Sequence, residues 1–352
     1  MTKIITIRDR AEWTYYVRRA AEFDCYHTWH YNSLEKSGDP IMFVYQQHDD
    51  FIAVPLVARP VPGTIYSDLT CVYGFSGPIS NRKMDELDEH LADSFKSAFM
   101  IYLQEENYVS VFLRLHPFFK QGNLLERFGG VHDNGRVVVL DLSLSLEEQR
   151  QRYSPAVRAQ IRKARNRGFT VKEEKGPEAI DLFISIYMET MQRVDASEYY
   201  LFNHEYFHEL YESDEYDTRV LIVYDGDEPI AGTMIMFTNG IIQAHLVGTR
   251  REYLKYSPTK FLVDEITQMG RRDGMRYMNL GGGLSFKEDS LLQWKLSFTD
   301  NTLGFKTWRY IANAPVYQLL LNEKGIDENT GVDFFPLYRY AQIPQLTNSH
   351  SL

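Results

Sequence analysis

The chain has 352 residues and a formal net charge of -10 at pH 7, which argues against a general affinity for nucleic acid or anionic membranes. Its aromatic content of 14% supplies ample apolar area for packed cores and argues against disorder. The length exceeds that of one ordinary domain and suits two.

The N-terminal segment and the cysteines predict a cellular location. MTKIITIRDR lacks the apolar core of a signal peptide, and no window approaches 18 consecutive apolar residues. Cys25 and Cys71 stand far apart without a partner pattern, which suits a reducing compartment. We interpret both as packed small side chains, with nucleophiles as the alternative. The prediction is a cytoplasmic protein.

The first half of the chain predicts a hairpin, a strand, a helix and a returning strand. The hairpin spans 41–60 around a turn at 48–50, and the next strand spans 64–74. The segment 84–104 carries apolar residues on one helical stripe. The strand over 110–117 completes this order of elements.

The segment 150–168 is strongly basic, with seven Arg or Lys residues and no acid. A Ser-Pro start and a glycine end predict a helix, on which Arg158, Arg162 and Arg165 share one face. This face is either a solvated surface or a binding site for phosphates, because guanidinium groups match phosphate oxygens.

The second half repeats the order of elements seen in the first. The segment 219–240 predicts a hairpin around a turn at 225–227, and 241–249 predicts a third strand. A helix begins at the Ser-Pro pair of 257–258 and ends near Gly274. The last strand, 277–283, breaks on three glycines.

Three strands, a loop, a helix and a strand form the core of the GCN5-related N-acetyltransferase (GNAT) superfamily, which residues 219–283 resemble. The repeated order implies a mixed-sheet α/β fold with two tandem GNAT-like domains. We expect residues 1–145 to form the first domain and residues 146–352 the second, with a C-terminal extension. Such domains would face a shared cleft, and clefts of this kind commonly bind substrates.

Several segments resemble the Fem-type branch of this superfamily, which contains tandem-fold relatives of the peptidyltransferases that add amino acids to peptidoglycan precursors. These segments are YSPAVRAQIRKARNRGFTV, YMETMQRVDASEYYLFNHEYF, LGGGLSFKEDSLLQWKLSF and GFKTWRYI. In the first half, YSDLTCVYGFSGP and FLRLHP resemble bacterial acetyltransferase-like proteins of surface-polysaccharide synthesis. The resemblance implies an acyltransferase acting on an amine of an amino sugar, nucleotide sugar or peptide precursor in bacterial envelope synthesis.

Acyl transfer to an amine needs a proton acceptor and a donor that stabilises the tetrahedral oxyanion. By resemblance, Lys295 falls at the Fem-type phenylalanine-lysine pair, with Trp294 as the aromatic residue, and would stabilise negative charge or hold a phosphate. The alternative is an exposed lysine without such a role. His245, on the third strand, is either a base near neutral pH or a satisfied core histidine.

The resemblance implies that Arg193 and Tyr200 line the same cleft and bind the acceptor. Arg193 alternatively pairs with Asp195 or Glu198 in a solvent-exposed arrangement. Asp289 either orients the substrate amine or caps a short helix.

Four residues of the first half stand at the ends of two adjacent predicted strands and form a second acceptor-binding prediction. They are Asp68, Tyr73, Arg114 and His116. Arg114 and Asp68 alternatively form a structural ion pair. The first domain would thus hold the acceptor and the second the donor.

The loop before the predicted helix differs from the glycine-containing loop of acetyl-CoA-dependent relatives. Arg250, Arg251, Lys255 and Lys260 would supply charge for the donor phosphates instead, beside the helix N-terminus. An acyl-CoA is the expected co-substrate. An aminoacyl ester on tRNA and a thioester on an acyl carrier protein are the alternatives.

Residues 204–208 read H-E-x-x-H, the spacing of a helical zinc site. The acidic residues that follow favour a chance match, and we predict no metal, with a zinc hydrolase as the alternative. A non-catalytic binding module is a further alternative, because a fold does not fix a function.

Overall fold

A computed structural model describes residues 2–284 and 287–342. The strands in these residues are β1 (Thr2–Ile7), β2 (Asp39–Gln47), β3 (Asp50–Pro60), β4 (Ser67–Thr70), β5 (Ile79–Ser80), β6 (Tyr108–Arg114), β7 (Val131–Asp141), β8 (Thr170–Glu174), β9 (Asp217–Asp225), β10 (Glu228–Thr238), β11 (Ile241–Thr249), β12 (Tyr277–Gly281) and β13 (Thr302–Ile311).

The α-helices of the same residues are α1 (Arg10–Arg19), α2 (Trp29–Ser33), α3 (Glu89–Glu105), α4 (Gly122–Leu125), α5 (Leu146–Arg152), α6 (Pro155–Arg167), α7 (Pro177–Arg193), α8 (His204–Tyr211), α9 (Pro258–Arg272), α10 (Ser290–Leu296) and α11 (Ala314–Glu323). None of these helices is both long enough and apolar enough to cross a membrane.

The chain divides into two compact units. The first unit comprises Met1–Asn134 together with Phe305–Leu352, and the second comprises Gly135–Gly304. This division differs from the expected domains 1–145 and 146–352, because the chain returns to the first unit after residue 304. The physical reason is strand pairing: β13 lies antiparallel to β6 over residues 307–311.

The first unit has the strand order β1-β2-β3-β4-β6-β13, with β5 beside β3. The pairing of β4 with β6 is parallel, and α3 precedes β6. The predicted stripe of α3 is confirmed, since Leu91, Phe95 and Ala98 are buried in one core with Trp308 of β13. Burying a leucine or phenylalanine side chain contributes about 1.5–3 kcal/mol.

The second unit has the strand order β7-β12-β11-β10-β9-β8. The predicted hairpin is confirmed as β9 and β10, and the third strand as β11. Helix α9 returns the chain to β12, which lies parallel to β11 and antiparallel to β7. The second unit is therefore a mixed α/β layer whose parallel pair lies at β11 and β12.

Helices α6 and α9 cover the second sheet through their apolar faces. Val157 and Ile161 of α6 and Phe261 and Ile266 of α9 are buried in the same core. The predicted ends of α6 are also confirmed: Ser154 caps its N-terminus, and Gly168 adopts a left-handed φ of 87° at its C-terminus.

Candidate active site

The two parallel strands of the second unit separate beyond a short paired region. Residues 241–243 of β11 pair with 277–279 of β12, and β11 then continues to Thr249. Strand β12 ends at Gly281, which has a φ of 74°. Among the described residues, the pairing of the two strands stops at Gln243 and Asn279. We call the space between β12 and residues 244–249 of β11 the strand notch.

A buried polar pair lies where the strand notch begins. The Asn279 side-chain amide donates to Gln243 Oε1 at 2.9 Å, and Asn279 Oδ1 accepts from the Gly281 N–H at 2.9 Å. Both side chains are buried. The first hydrogen bond joins β11 to β12 at their last paired residues, and the second holds the turn at Gly281. These two bonds fix the point at which the strand notch begins.

Lys295 lies against the glycine end of β12. Its ammonium donates to the Gly282 carbonyl at 2.5 Å, and a Cβ atom at Gly281 would lie 3.3 Å from Nζ. Burial lowers the pKa of Lys295 to about 8, although Asp289 acts in the opposite direction. The glycines let the backbone approach a desolvated ammonium that remains largely charged at neutral pH.

Asp289 caps the helix that carries Lys295. Its Oδ1 accepts from the Leu292 N–H at 2.8 Å, and its Oδ2 accepts from the Leu284 N–H at 2.7 Å. The two oxygens thus bind the backbone of Leu284 and the first turn of α10. The capping alternative is the one for which the structure shows contacts.

His245 occupies a β-bulge on the edge of the strand notch. Met234 of β10 pairs with Leu246 and Ile235 pairs with Ala244, so His245 is the extra residue on β11. Its Nε2 is 2.9 Å from the Tyr206 hydroxyl of α8. Burial lowers the pKa of His245 to about 3, so the imidazole is neutral at neutral pH.

Helix α7 holds the far end of β11. Arg193 Nη1 donates to the Thr249 carbonyl at 2.9 Å, and Thr190 exchanges hydrogen bonds with the Thr249 backbone. The hydrogen bond of Arg193 goes to a backbone carbonyl, whereas the alternative was a pair with Asp195 or Glu198. Tyr200 accepts from the Tyr187 hydroxyl through its carbonyl at 2.8 Å.

The four predicted donor-binding residues have different surroundings. Arg250 is paired with Glu189 at 2.8 Å, and Glu189 also accepts from the Arg251 N–H. The side chains of Arg251 and Lys255 are exposed, whereas Lys260 is partly buried and has a pKa lowered by burial. Arg250 therefore has a structural partner, and the exposed cations are better placed to meet a ligand.

The predicted N-cap of α9 takes an unusual form. Ser257 has a left-handed φ of 50°, and its side chain makes no capping hydrogen bond to the described chain. The first turn of α9 keeps the partial positive charge of a helix N-terminus.

The basic segment around α6 divides into paired and exposed arginines. Arg150 and Arg165 both contact the buried Asp264, at 2.6 Å and 2.5 Å. Arg158 donates to the Tyr153 carbonyl at 2.6 Å, and Arg162 is exposed. Two of these arginines thus fasten α5 and α6 to α9, which favours a structural role for part of the segment.

In the first unit, Asp68 is fully buried and anchors the C-terminal segment. Its carboxylate accepts from Arg59 at 2.9 Å, from the Tyr338 hydroxyl at 2.9 Å and from Arg339 at 2.5 Å. The alternative of a structural ion pair thus holds with other partners, because Arg59 and Arg339 bind Asp68 in place of Arg114. A carboxylate so surrounded fits a structural role, and its role in acceptor binding stays a prediction.

The other predicted residues of the first unit lie beside the same parallel strands. The Arg114 guanidinium donates to the Val72 carbonyl at 3.4 Å, and the Tyr73 carbonyl accepts from Tyr31. His116 is buried, with its Nε2 2.8 Å from the buried Asp24. The adjacency predicted for these residues is confirmed by the pairing of β4 with β6. Because His116 is buried beside Asp24, a structural role fits it, and its acceptor contact stays a prediction.

Three residues of the second-unit site were missed in the sequence. Tyr206 lies inside the H-E-x-x-H segment, which was interpreted through its histidines alone. Gln243 and Asn279 are polar residues within apolar strands. A buried polar side chain on a strand needs a hydrogen-bond partner. The polar residues Gln243 and Asn279 could therefore have predicted a bond between their strands.

The comparisons with known proteins agree with this architecture. The family described as "Acetyltransferase (GNAT) domain" matches residues 150–295. The crystal structure of FemX matches with a TM-score of 0.69 and 14% identity, covering 90% of this chain and 99% of that chain. L-PGS from Bacillus licheniformis matches with a TM-score of 0.59 and 16% identity, covering 90% and 96%. No curated protein matches the sequence.

Identities at this level establish a common fold and leave the substrates open. The family match covers α6 to α10, including both sides of the strand notch, His245 and Lys295. Residues 150–295 match the acetyltransferase (GNAT) domain family, and the chain shares its fold with FemX over 90% of its length.

Proposed function

We propose that this protein is an N-acyltransferase whose chemical step takes place at the strand notch of the second unit. The observation that carries the proposal is the ammonium of Lys295, held on the Gly282 carbonyl with a pKa of about 8. A perturbed ionisable group beside an unpaired strand edge is the arrangement expected of a reaction site.

Lys295 would stabilise the oxyanion that forms when the amine attacks the acyl carbonyl. An ammonium has three N–H donors, and the Gly282 carbonyl takes one of them. Because the group is already desolvated and held in place, little reorganisation is needed as charge develops. A donor of this kind contributes about 10²–10³-fold to the rate.

His245 and Tyr206 would handle the proton of the amine. The low pKa keeps the imidazole neutral and able to accept a proton, while the Tyr206 hydroxyl fixes the orientation of Nε2. A histidine with this pKa is a weak base, so it would hold the proton briefly and pass it to solvent. We therefore assign a smaller share of the rate to this pair than to Lys295.

An acyl-CoA is the donor that we propose. The edge of β11 beyond Gln243 resembles an exposed sheet edge, which binds extended amide-containing chains through backbone hydrogen bonds. The amide-bearing arm of coenzyme A has this chemistry. Arg251 and Lys255 are exposed just before α9 and would meet its phosphates.

An aminoacyl-tRNA donor is the second candidate, and the exposed arginines of α6 favour it. Arg158 and Arg162 lie on the surface of a helix that belongs to the matched family region. Guanidinium groups on one helix face bind nucleic-acid phosphates well.

The proposed acceptor is an amine of an amino sugar, nucleotide sugar or peptide precursor in bacterial envelope synthesis, in the cytoplasm. Its proposed contacts in the second unit are Arg193 and Tyr200, and acceptor binding by Tyr73 and Arg114 stays a separate prediction for the first unit. Asp68 and His116 are left out of this set because their side chains are buried and bonded within the first unit, and Asp289 is left out because both of its carboxylate oxygens accept backbone N–H groups.

Calorimetric titration with acetyl-CoA and a longer acyl-CoA tests the donor. We expect saturable binding that the double variant Arg251→Ala/Lys255→Ala weakens about tenfold, because two charge-assisted contacts are lost. Arg272→Ala removes an exposed charge from the other end of α9 and is the matched control. Arg250 is unsuitable, since its loss would break the Glu189 pair.

The outcomes of this titration separate the two donors. Absence of binding to either thioester contradicts the acyl-CoA proposal. The next test is then an aminoacyl-tRNA, with Arg162→Ala as the variant on α6. Equal binding by the double variant and the control would remove Arg251 and Lys255 from the site.

A further inference from the structure

Three side chains that can bind a metal meet between α7 and α8, outside the strand notch. They are Asp181 of α7 and His204 and His208 of α8. His204 Nε2 lies 2.7 Å from Asp181 Oδ1, and His208 Nε2 lies 3.1 Å from the same oxygen. The two imidazole rings are stacked, with centroids 4.5 Å apart.

The local sequence explains why the two histidines share a direction. Asn203 caps α8 by accepting from the Tyr206 N–H at 2.9 Å, so the helix begins at His204. Positions four residues apart lie on one face of a helix. The buried Phe207 and Leu210 pack another side of α8 against the unit, and both histidine rings contact Asp181.

We propose that Asp181, His204 and His208 bind a divalent transition-metal ion, with Zn²⁺ as the best fit. Two imidazole nitrogens and one carboxylate oxygen form a donor set that zinc accepts in proteins, at about 2.0–2.2 Å from the metal. Donors of a tetrahedral site then lie about 3.3 Å apart. The three ligand atoms lie within 4.8 Å of one another, so the widest separation must shorten by at most about 1.5 Å to reach this spacing.

The arrangement differs from the zinc hydrolase that the H-E-x-x-H spacing suggests and from the expectation of no metal. The third ligand comes from another helix, and Glu205 is exposed and outside the ligand group. The His204 side chain is 64% exposed and that of Asp181 is 55% exposed. Water would occupy the remaining coordination position, and the site would join two helices on the surface.

The metal would link these helices to the strand notch. Helix α8 also carries Tyr206, whose hydroxyl contacts His245, and α7 carries Arg193, which contacts Thr249. An ion bound between α7 and α8 would therefore restrain two side chains that hold β11. The metal site stands independently of the proposed acyl transfer, whereas this link to His245 rests on it.

Metal titration of the untagged, chelator-treated full chain tests the inference. We expect one Zn²⁺ per chain and, with Co²⁺, the visible absorption of a low-coordinate site with nitrogen ligands. His204→Ala, His208→Ala and Asp181→Ala should each weaken binding at least about tenfold, because each removes one of three ligands.

Two control variants make the test specific. His132→Ala removes an exposed histidine of the first unit, and Glu205→Gln changes the motif while keeping the three ligands. Both should bind Zn²⁺ like the unchanged protein. Equal binding by His204→Ala, or no stoichiometric binding by the unchanged protein, overturns the metal site.

Thermal unfolding adds a readout that is independent of activity. Zn²⁺ should raise the unfolding temperature of the unchanged protein and of His132→Ala, and leave that of the ligand variants unchanged, because an ion that binds the folded state stabilises it. Acyl-CoA binding that persists without a zinc effect would reject the metal inference alone. Zinc binding without acyl-CoA binding would reject only the proposed donor.

Discussion

The parallel strand pair of the first unit is closed, whereas that of the second unit opens into a notch. In the first unit the chain beyond β4 continues to bond along β6: Cys71 Sγ accepts from the Arg114 N–H, and the Ser76 N–H donates to the Arg114 carbonyl at 2.6 Å. His116 then donates to the Ser76 carbonyl. In the second unit, the pairing within the described residues stops at Gln243.

The polar side chains near the two strand pairs differ accordingly. Asp68 and His116 are buried and bonded to other side chains, so they hold the first unit together. Lys295 and His245 are only partly buried, and their pKa values are strongly lowered. The same order of elements thus yields a sealed core in one unit and a chemically perturbed edge in the other.

The largest expected effect lies in the first unit, at Asp68. Asp68→Ala leaves Arg59 and Arg339 without their buried carboxylate and should lower the free energy of unfolding by about 3–5 kcal/mol. Asp93→Ala, which breaks the surface pair with Arg127, should cost at most about 1 kcal/mol. Urea denaturation measures both.

The kinetics of Asp68→Ala sharpen the comparison further. If Asp68 is structural, the folded variant keeps the acceptor KM of the unchanged protein at low temperature. A large rise in the acceptor KM of the fully folded Asp68→Ala variant would support the role in acceptor binding that the sequence suggested.

Lys295→Met should produce the opposite pattern in the second unit. We expect kcat to fall about 10²–10³-fold, because the oxyanion loses its charged donor. The free energy of unfolding should not decrease, since a desolvated ammonium is removed from a partly buried position. Lys287→Met, which changes an exposed lysine before α10, is the control and should leave kcat unchanged. Equal kcat values for both variants would move the chemistry away from the strand notch.

Removing His245 or its partner should have smaller effects. His245→Ala is expected to lower kcat about 10²-fold through loss of the proton acceptor. Tyr206→Phe keeps the ring and removes one hydrogen bond, so a loss of about 3–10-fold is expected. Steady-state rates at saturating acceptor measure both. Unchanged rates in His245→Ala would favour the alternative of a satisfied core histidine.

The sequence predicted the repeated order of elements because each element follows from a local pattern of apolar, turn and capping residues. The boundaries of β11, 241–249, and the start of α9 follow from alternation and from a Ser-Pro pair. The pairing of β13 with β6 could not be predicted, because the two strands lie almost 200 residues apart in the sequence. Neither strand carries a local pattern that specifies its partner. The partners of Asp68 at Tyr338 and Arg339 were hidden for the same reason.

Within the candidate site, the sequence indicated Lys295 and His245 but not their neighbours. Resemblance singled out the lysine, while its lowered pKa depends on the burial that the folded chain imposes on the ammonium. The bulge at His245 arises from the register of two strands, which a pattern of single residues does not contain. Tyr206 needed the packing of α8 on β11 to be recognised.

The pH dependence of Lys295→Arg gives the finest test of the comparison. If the ammonium form is required, kcat/KM of the unchanged enzyme falls as pH rises through about 8, the pKa of Lys295. Arginine stays charged to above about pH 12, so the variant should lose activity overall but show no such decline near pH 8.

The same pKa shift affects stability. The unfolded lysine keeps its ordinary pKa of 10.5, so between about pH 8 and pH 10.5 the folded state has released a proton that the unfolded state still binds.

Stability must therefore rise with pH over the interval from about 8 to 10.5, and the penalty of the buried charge is fully present below it. Lys295→Met removes the titrating group, so its unfolding free energy relative to the unchanged protein should be most favourable below pH 8 and lose that advantage towards pH 10.5. Urea denaturation at several pH values measures the difference. A difference in unfolding free energy that is constant with pH would mean that Lys295 is solvated like an ordinary surface lysine. The contrast between the strand notch and the closed strand pair of the first unit would then lose its charged group.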